Sequence, residues 1–231
     1  MFGRGAVRDF GTDRQRMVLD QLERRGIADA RVLEAMRRIP REEFVPEARR
    51  RWAYADEPLP IGFGQTISQP YIAAVMAEAL EVEPGGRALE VGTGSGYAAA
   101  LLAELGARVI TIERIEGLAE AARTNLSRAG YADRVLVVCG DGSLGWTAGQ
   151  PYEIISVAAA APEVPLALCD QLAENGRLVI PIGSLDEHDL LLYHKLPEGM
   201  QVRSVTRCRF VPLLGVQGWR LQLGCERRRV G

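Results

Sequence analysis

This 231-residue chain is short of the residues that build metal centres and disulfide frameworks. It has four cysteines, at 139, 169, 208 and 225, with no C-x-x-C pair, and only two histidines, His188 and His194. Zinc-type sites draw on clustered cysteine and histidine, so no metal site is expected. An excess of one charge is also missing, because 28 basic and 30 acidic residues leave a net charge of −2. Without a global field, neither nucleic acid nor an anionic membrane is an expected partner. The arginine runs at 49–51 and 227–229 are read as solvated surface. No stretch reaches the ~18 apolar residues that suggest a bilayer span. Nor does the N-terminal segment carry a charged region, an apolar core and a cleavage site in the order of an export signal. The expected compartment is therefore the cytoplasm, with reduced thiols. Internal repeats and low-complexity segments are lacking too.

What is present suits one α/β domain over 1–231, with a helical extension at 1–55 and an α/β core at 56–231. Val18, Leu19 and Leu22 mark a helix from Thr12 to about Arg25 that Gly26 terminates. Asp29 opens a second helix bearing Val32, Leu33 and Met36 before Pro40. A turn-rich stretch from Asp56 to Pro70 follows, and a helix at Tyr71 to Leu80 leads into the first core strand. Beyond it, strands at Val109 to Ile112, Val135 to Val138, Tyr152 to Val157 and Leu178 to Ile182 alternate with helical patterns. Leu118, Ala122 and Leu126 mark one of those helices, and Val164, Leu168 and Leu172 another. Such alternation implies a doubly wound, mostly parallel sheet with helices on both faces. Leu190 to Tyr193 and Gln201 to Leu213 read as an antiparallel hairpin at the sheet edge.

The most informative stretch is Glu90-Val91-Gly92-Thr93-Gly94-Ser95-Gly96-Tyr97. Ala88, Leu89 and Val91 form a strand ending at Gly92, and Ala98, Leu101, Leu102 and Leu105 then recur at helical spacing. A strand, a glycine turn and a helix place backbone N–H groups at the positive end of a helix, where a nucleotide-like ligand fits. A dinucleotide fingerprint would need a third glycine at 97, where Tyr97 stands. Glu90, two positions before Gly92, would repel a pyrophosphate and attract a cation. S-adenosylmethionine carries both an ammonium and a sulfonium, and so answers that pattern. Glu113 ends the next strand twenty-one residues beyond Gly92, the spacing at which an acidic side chain bonds ribose hydroxyls.

Several further blocks give the chain a resemblance to bacterial protein-L-isoaspartate O-methyltransferases. Arg41-Glu42-Glu43-Phe44-Val45-Pro46 resembles that family's R-E-x-F-V-P block, and Gly64-Gln65-Thr66-Ile67-Ser68-Gln69-Pro70 matches its highly specific G-Q-T-I-S-Q-P loop. The glycine stretch, residues 140–142, 159–163, 176–181 and 210–213 continue the match in order. The resemblance implies the Rossmann-like fold of class I S-adenosylmethionine-dependent methyltransferases. It also implies methyl transfer to the free α-carboxylate of L-isoaspartyl residues in damaged proteins and peptides. The ester would then close to a succinimide, whose hydrolysis returns some normal aspartyl linkage.

Such an acceptor needs no strong base. An α-carboxyl group has a reference pKa of about 3.3–3.7 and is already ionised near neutrality. Orientation can supply roughly 7–11 kcal/mol of the barrier lowering. By resemblance Ser68 is the catalytic residue, its hydroxyl holding the attacking carboxylate; from local sequence alone it would cap the following helix. Thr66, Ile67 and Gln69 would touch cofactor and peptide, with Thr66 on the substrate side. Asp141 and Gly142 would lie beside the adenine, and Thr93 and Ser95 would line the cofactor with the glycines. Val211, Pro212 and Leu213 would wall the substrate. The chain departs from the pattern at Ala158, where threonine is common, at Phe63, where histidine or tyrosine is frequent, and from Gln217 onward. Two rival readings remain: a specialised relative that methylates an aspartate in one dedicated peptide, and a binding protein that has lost turnover. A nicotinamide dehydrogenase is disfavoured by Tyr97.

Overall fold

A computed structural model describes residues 9–220. Cys225 and the arginines at 227–229 lie outside the described residues, as does the end of the tail that follows Leu213. Helix α1 (Phe10–Met17) is capped by the Asp9 side chain, which accepts from the Gly11 amide. It continues as a widened π turn (Val18–Leu22) and a tight 3₁₀ turn (Glu23–Arg25), ending at Gly26 with φ 96°. The expected helix over 12–25 is thus wound in three ways. Of the expected Val18, Leu19 and Leu22, the first and last are buried beside Met17 while Leu19 is exposed, so the apolar pattern registers the inward face only in part and is silent about the winding. Helix α2 (Ala30–Arg38) is capped by Asp29, which accepts from the amides of Arg31 and Val32, and it stops ahead of Pro40.

The turn-rich stretch holds a small antiparallel hairpin, β1 (Leu59–Gly62) and β2 (Gln65–Ile67). Its tip runs through three left-handed residues, Gly62, Phe63 and Gly64, with φ of 100°, 51° and 72°. Helix α3 (Pro70–Leu80) starts on a proline at its first position, where the missing N–H costs nothing.

The core sheet contains β3 (Arg87–Val91), β4 (Arg108–Glu113), β5 (Val135–Cys139), β6 (Tyr152–Val157), β7 (Leu172–Gly183), β8 (His188–Leu196) and β9 (Gly199–Cys208). Their order is β5-β4-β3-β6-β7-β8-β9. Strands β5 to β7 run parallel, and β8 and β9 add an antiparallel edge. Helices α4 (Tyr97–Glu104), α5 (Glu116–Arg128) and α6 (Leu166–Gln171) complete the doubly wound arrangement. Alternate strand residues feed two cores. Ala88, Val109, Ile154 and Val179 pack with α1 to α4, while Leu89, Ile112, Ile155 and Leu178 pack with Leu168 and Tyr152. Met17, Leu22, Met36 and Phe44 from the N-terminal segment share the first core with the sheet.

Two boundaries differ from expectation. Leu172 begins β7 instead of closing α6, and Val164 lies ahead of that helix. Between Tyr152 and Ile154 of β6, the partner strand runs from Leu172 to Arg177. This wide bulge turns at Asn175, with φ 61°. An apolar residue at helical spacing therefore sits in a strand. The last strand, expected to reach Leu213, stops at Cys208, beyond which Pro212 bridges singly to Ala160.

Candidate active site

The strand order reverses between β3 and β6, and their carboxyl ends flank a cavity of about 360 Å³. Such a switch point is where open α/β sheets bind ligands. Gly92, Thr93, Gly94 and Ser95 line the cavity together with Glu90, Glu113 and Gly142. Thr66, Ile67, Ser68 and Gln69 enter from the β1–β2 side, and Val211 and Leu213 from the segment after β9. Of the expected site residues, only Gly96 and Asp141 are absent from this lining. Gly96 starts α4 with φ 90°, and a Cβ there would lie 3.1 Å from Leu126, so this glycine serves helix packing.

The glycine turn departs from a phosphate cradle. The amides of Gly92 and Thr93 both donate to the Ile112 carbonyl, at 2.9 and 3.2 Å. Gly94 donates to Glu113 Oε2 at 2.9 Å, and Gly96 to the Thr93 carbonyl at 2.8 Å. N–H groups expected to face a ligand are thus largely spent on β4 and on the turn itself. A pyrophosphate would find few free donors here, in keeping with the acidic strand end.

Glu90 is fully buried. Thr111 donates to its Oε2 at 2.5 Å and bonds Thr93 at 2.6 Å, while Oε1 has no partner. Burial raises its pKa to about 8, against the Thr111 bond, which lowers it, and with a further rise from the nearby Glu113. Near neutral pH the side chain is therefore mainly an uncharged acid. This corrects the picture of a standing negative charge: ionisation waits for a cation beside Oε1. Ser95 Oγ is likewise buried without a partner. Two orphaned buried polar atoms in one cavity fit a ligand that is cationic and rich in hydrogen-bonding groups. Glu113 accepts from Gly94 through Oε2 and from Ile115 at 3.0 Å through Oε1. Each oxygen keeps a lone pair for a ligand hydroxyl.

Ser68 does not cap α3. The capping position is Gln69, which makes no side-chain cap, and its Nε2 instead donates to the Asp56 carbonyl at 3.0 Å. The Ser68 hydroxyl has no hydrogen bond among the described residues, whereas the Ser68 carbonyl accepts from Arg41 at 2.7 Å. A half-buried, uncommitted hydroxyl in the cavity wall is thus available to an acceptor.

Asp141 is not among the residues lining the cavity, and both its oxygens accept hydrogen bonds from the protein. Its Oδ1 accepts from the amide and hydroxyl of Ser143, at 2.9 and 2.7 Å, and its Oδ2 accepts from the Val216 amide at 2.8 Å. The adjacent Gly142 reaches the cavity, and a Cβ there would fall 2.4 Å from Val91 Cγ1. Val211 and Leu213 are held in place through Ala160, whose amide donates to Val211 and whose carbonyl accepts from Leu213. Trp219, in the unmatched segment, donates Nε1–H to the same carbonyl at 3.1 Å. Ala158 lines the cavity, and Phe63 lies over α5, where a Cβ on Gly117 would be 2.7 Å from its ring.

Sequence reasoning missed Thr111, Tyr97 and Arg41. The signal for Thr111 was a hydroxyl inside the apolar run 109–112, since a polar side chain in a buried strand needs a partner. Tyr97 counted only as a missing glycine, yet it lines the cavity and its ring stacks on the Arg41 guanidinium, 4.7 Å from centroid to carbon.

Strand order, glycine turn and a cavity at the reversal point together define a Rossmann-like methyltransferase of class I. Residues 13–218 match the protein-L-isoaspartate(D-aspartate) O-methyltransferase family, and the chain belongs to it. It is 54% identical over 213 residues to protein-L-isoaspartate O-methyltransferase 2 of Marinobacter nauticus, covering 91% of this chain and 97% of that one. The Methanoculleus marisnigri protein-L-isoaspartate O-methyltransferase is 52% identical over 207 residues, covering 90% and 94%. Among solved structures, a protein-L-isoaspartate O-methyltransferase superposes with a TM-score of 0.78 at 30% identity, covering 89% of this chain and 67% of that chain. A Plasmodium falciparum structure assigned as a β-aspartate methyltransferase, in complex with S-adenosyl-L-homocysteine, gives 0.76 at 29% identity, covering 87% and 98%.

Proposed function

We propose that the chain transfers a methyl group from S-adenosylmethionine to the free α-carboxylate of L-isoaspartyl residues, opening a repair route through a succinimide. One observation carries this reading: a single cavity joins the glycine turn and its buried acid to the Ser68 loop and the apolar segment 211–213. Family membership supports the choice of acceptor.

The cofactor, when bound, supplies an electrophilic methyl on a sulfonium, whose carbon–sulfur bond breaks with the electron pair staying on sulfur as the carboxylate oxygen bonds the methyl. Glu90 Oε1 would hold the ammonium, the proton of the acid passing to solvent as the carboxylate forms. Glu113 orients the ribose while fixing Gly94. The Ser68 hydroxyl would donate to the acceptor carboxylate and hold it in the cavity for attack on the methyl. Val211 and Leu213 cover the acceptor and exclude water, which strengthens that bond. Gly142, packed without a side chain against Val91, would present its backbone to the adenine. No general base is assigned, because the acceptor is ionised before it binds.

Residues 1–55 and 56–231 act in this reading as one domain, since the N-terminal segment shares its core with the sheet. The acceptors are damaged proteins and peptides of the cytoplasm. Among the described residues no helix is long and apolar enough to cross a membrane. Incubation with labelled S-adenosylmethionine and two peptides differing only in aspartyl or isoaspartyl linkage tests the proposal. Label on the isoaspartyl peptide alone is expected. Equal labelling of both would refute selectivity, and label on neither would favour a dedicated substrate or lost turnover.

A further inference from the structure

Arg41 opens the 3₁₀ turn Arg41–Phe44 and is fully buried. Its Nε donates to the Ala53 carbonyl and its Nη2 to the Ser68 carbonyl, each at 2.7 Å. Its Nη1 is buried without a partner. Among the described residues no carboxylate pairs with it. The neighbouring Glu42 is taken by the Tyr54 hydroxyl and by Arg14, the latter at 3.2 Å. Burial lowers the guanidinium pKa, and the neighbouring hydroxyls of Tyr97 and Tyr54 offset only part of that effect.

An unpaired buried cation is an expensive way to fill space, and an apolar side chain of similar volume would pack there without it. Arginine brings something apolar groups lack, a rigid fork with donors in fixed directions. Here the fork spans two carbonyls that are fifteen positions apart, at 53 and 68. One belongs to the N-terminal segment and the other to the loop that carries the uncommitted hydroxyl. No helix cap or side-chain bond of Ser68 itself fixes that loop.

We propose that Arg41 is a positioning residue for methyl transfer, holding the Ser68 backbone so that the Ser68 hydroxyl keeps its place in the cavity wall. The inference rests on the role proposed above for Ser68. Arg41 does not touch the cavity, since the Ser68 main chain and the Tyr97 ring stand between. Its influence should therefore appear in turnover rather than in cofactor binding.

The test compares wild type with R41K, which keeps the charge and loses the fork. Turnover on an isoaspartyl peptide should fall at least tenfold, with the Kd for S-adenosylhomocysteine changed less than threefold. In an S68A background, R41K should cost less than a further twofold. Amide hydrogen exchange should quicken at residues 65–69 and stay unchanged at 92–96. If the two substitutions multiply, if S-adenosylhomocysteine binding falls in step with turnover, or if exchange at 65–69 is unaltered, the inference is wrong. Should R41K fail to fold, R41Q, which reaches one carbonyl only, gives the same readouts. A wild type inactive on the isoaspartyl peptide would defeat the proposed function instead, and loop exchange in R41K would still decide whether Arg41 holds Ser68.

Discussion

Replacing Glu90 with glutamine tests the buried acid directly. A glutamate in an unfolded chain ionises near 4.5, whereas burial keeps Glu90 protonated up to about 8. Between those values the native state binds more protons than the unfolded state through this group, so the contribution of Glu90 to stability is fully present below pH 4.5 and is lost as pH rises towards 8. At ~1.36 kcal/mol per pH unit, the interval from 4.5 to about 8 amounts to roughly 4–5 kcal/mol. Glutamine keeps an oxygen for Thr111 and cannot ionise. Its amide would sit where Oε1 has no partner, which adds a pH-independent cost. The slope with pH is therefore the informative quantity. Urea unfolding at several values between pH 5 and 8 should show the stability of E90Q relative to wild type climbing by about 1.4 kcal/mol per unit. Calorimetry of S-adenosylhomocysteine binding near pH 7, in two buffers of different ionisation enthalpy, should show close to one more proton released by wild type than by E90Q. A stability difference that stays flat with pH would sink the assignment of a neutral buried acid, and equal proton release would sink its link to the cofactor.

Other consequences are as direct. S68A should reduce turnover by about a hundredfold, as loss of a transition-state hydrogen bond does elsewhere, with little change in melting temperature or S-adenosylhomocysteine affinity; equal losses in all three would return Ser68 to a structural role. T111V removes the hydroxyl between Glu90 and Thr93. It should cost about 1–3 kcal/mol in denaturant melts, and it should move the wild-type pH dependence of cofactor binding upwards, because the Thr111 bond is what holds the Glu90 pKa down. G142A places a methyl 2.4 Å from Val91 Cγ1. Overpacking of this kind costs about 1–3 kcal/mol, and a melting temperature equal to wild type would show that β3 yields more easily than its burial suggests.

The sheet was legible because its strands are written as apolar runs. Residues 109–112, 152–157 and 178–182 need no partner information to be recognised, since both faces of a parallel sheet are buried. The β1–β2 hairpin was not legible. Its strands have four and three residues, and its tip depends on left-handed backbone at Phe63, a residue type that gives no such signal. Leu172 failed for a different reason, because helix and bulged strand offer the same apolar position. In the site, the glycine spacing and the acidic strand ends identified the kind of ligand. The protonation of Glu90 was not visible, since it depends on burial and on Thr111 twenty-one positions away. The protein contacts of Gly96 and Asp141 were not legible either, since Leu126, Ser143 and Val216 come from other parts of the chain or from a turn that the sequence does not announce.

The segment after β9 has a consequence for the order in which the protein becomes competent. The part of the pocket proposed to hold the cofactor comes from residues 65–142, but Val211 and Leu213 arrive only after β7, β8 and β9 have been added and the chain has returned to Ala160. A growing chain that has passed β6 already carries every residue assigned to the cofactor and still lacks a wall for the acceptor. The acceptor wall is thus the last part of the pocket to be encoded, and it depends on β7, β8 and β9, whose Val179 and Leu190 also belong to the main core.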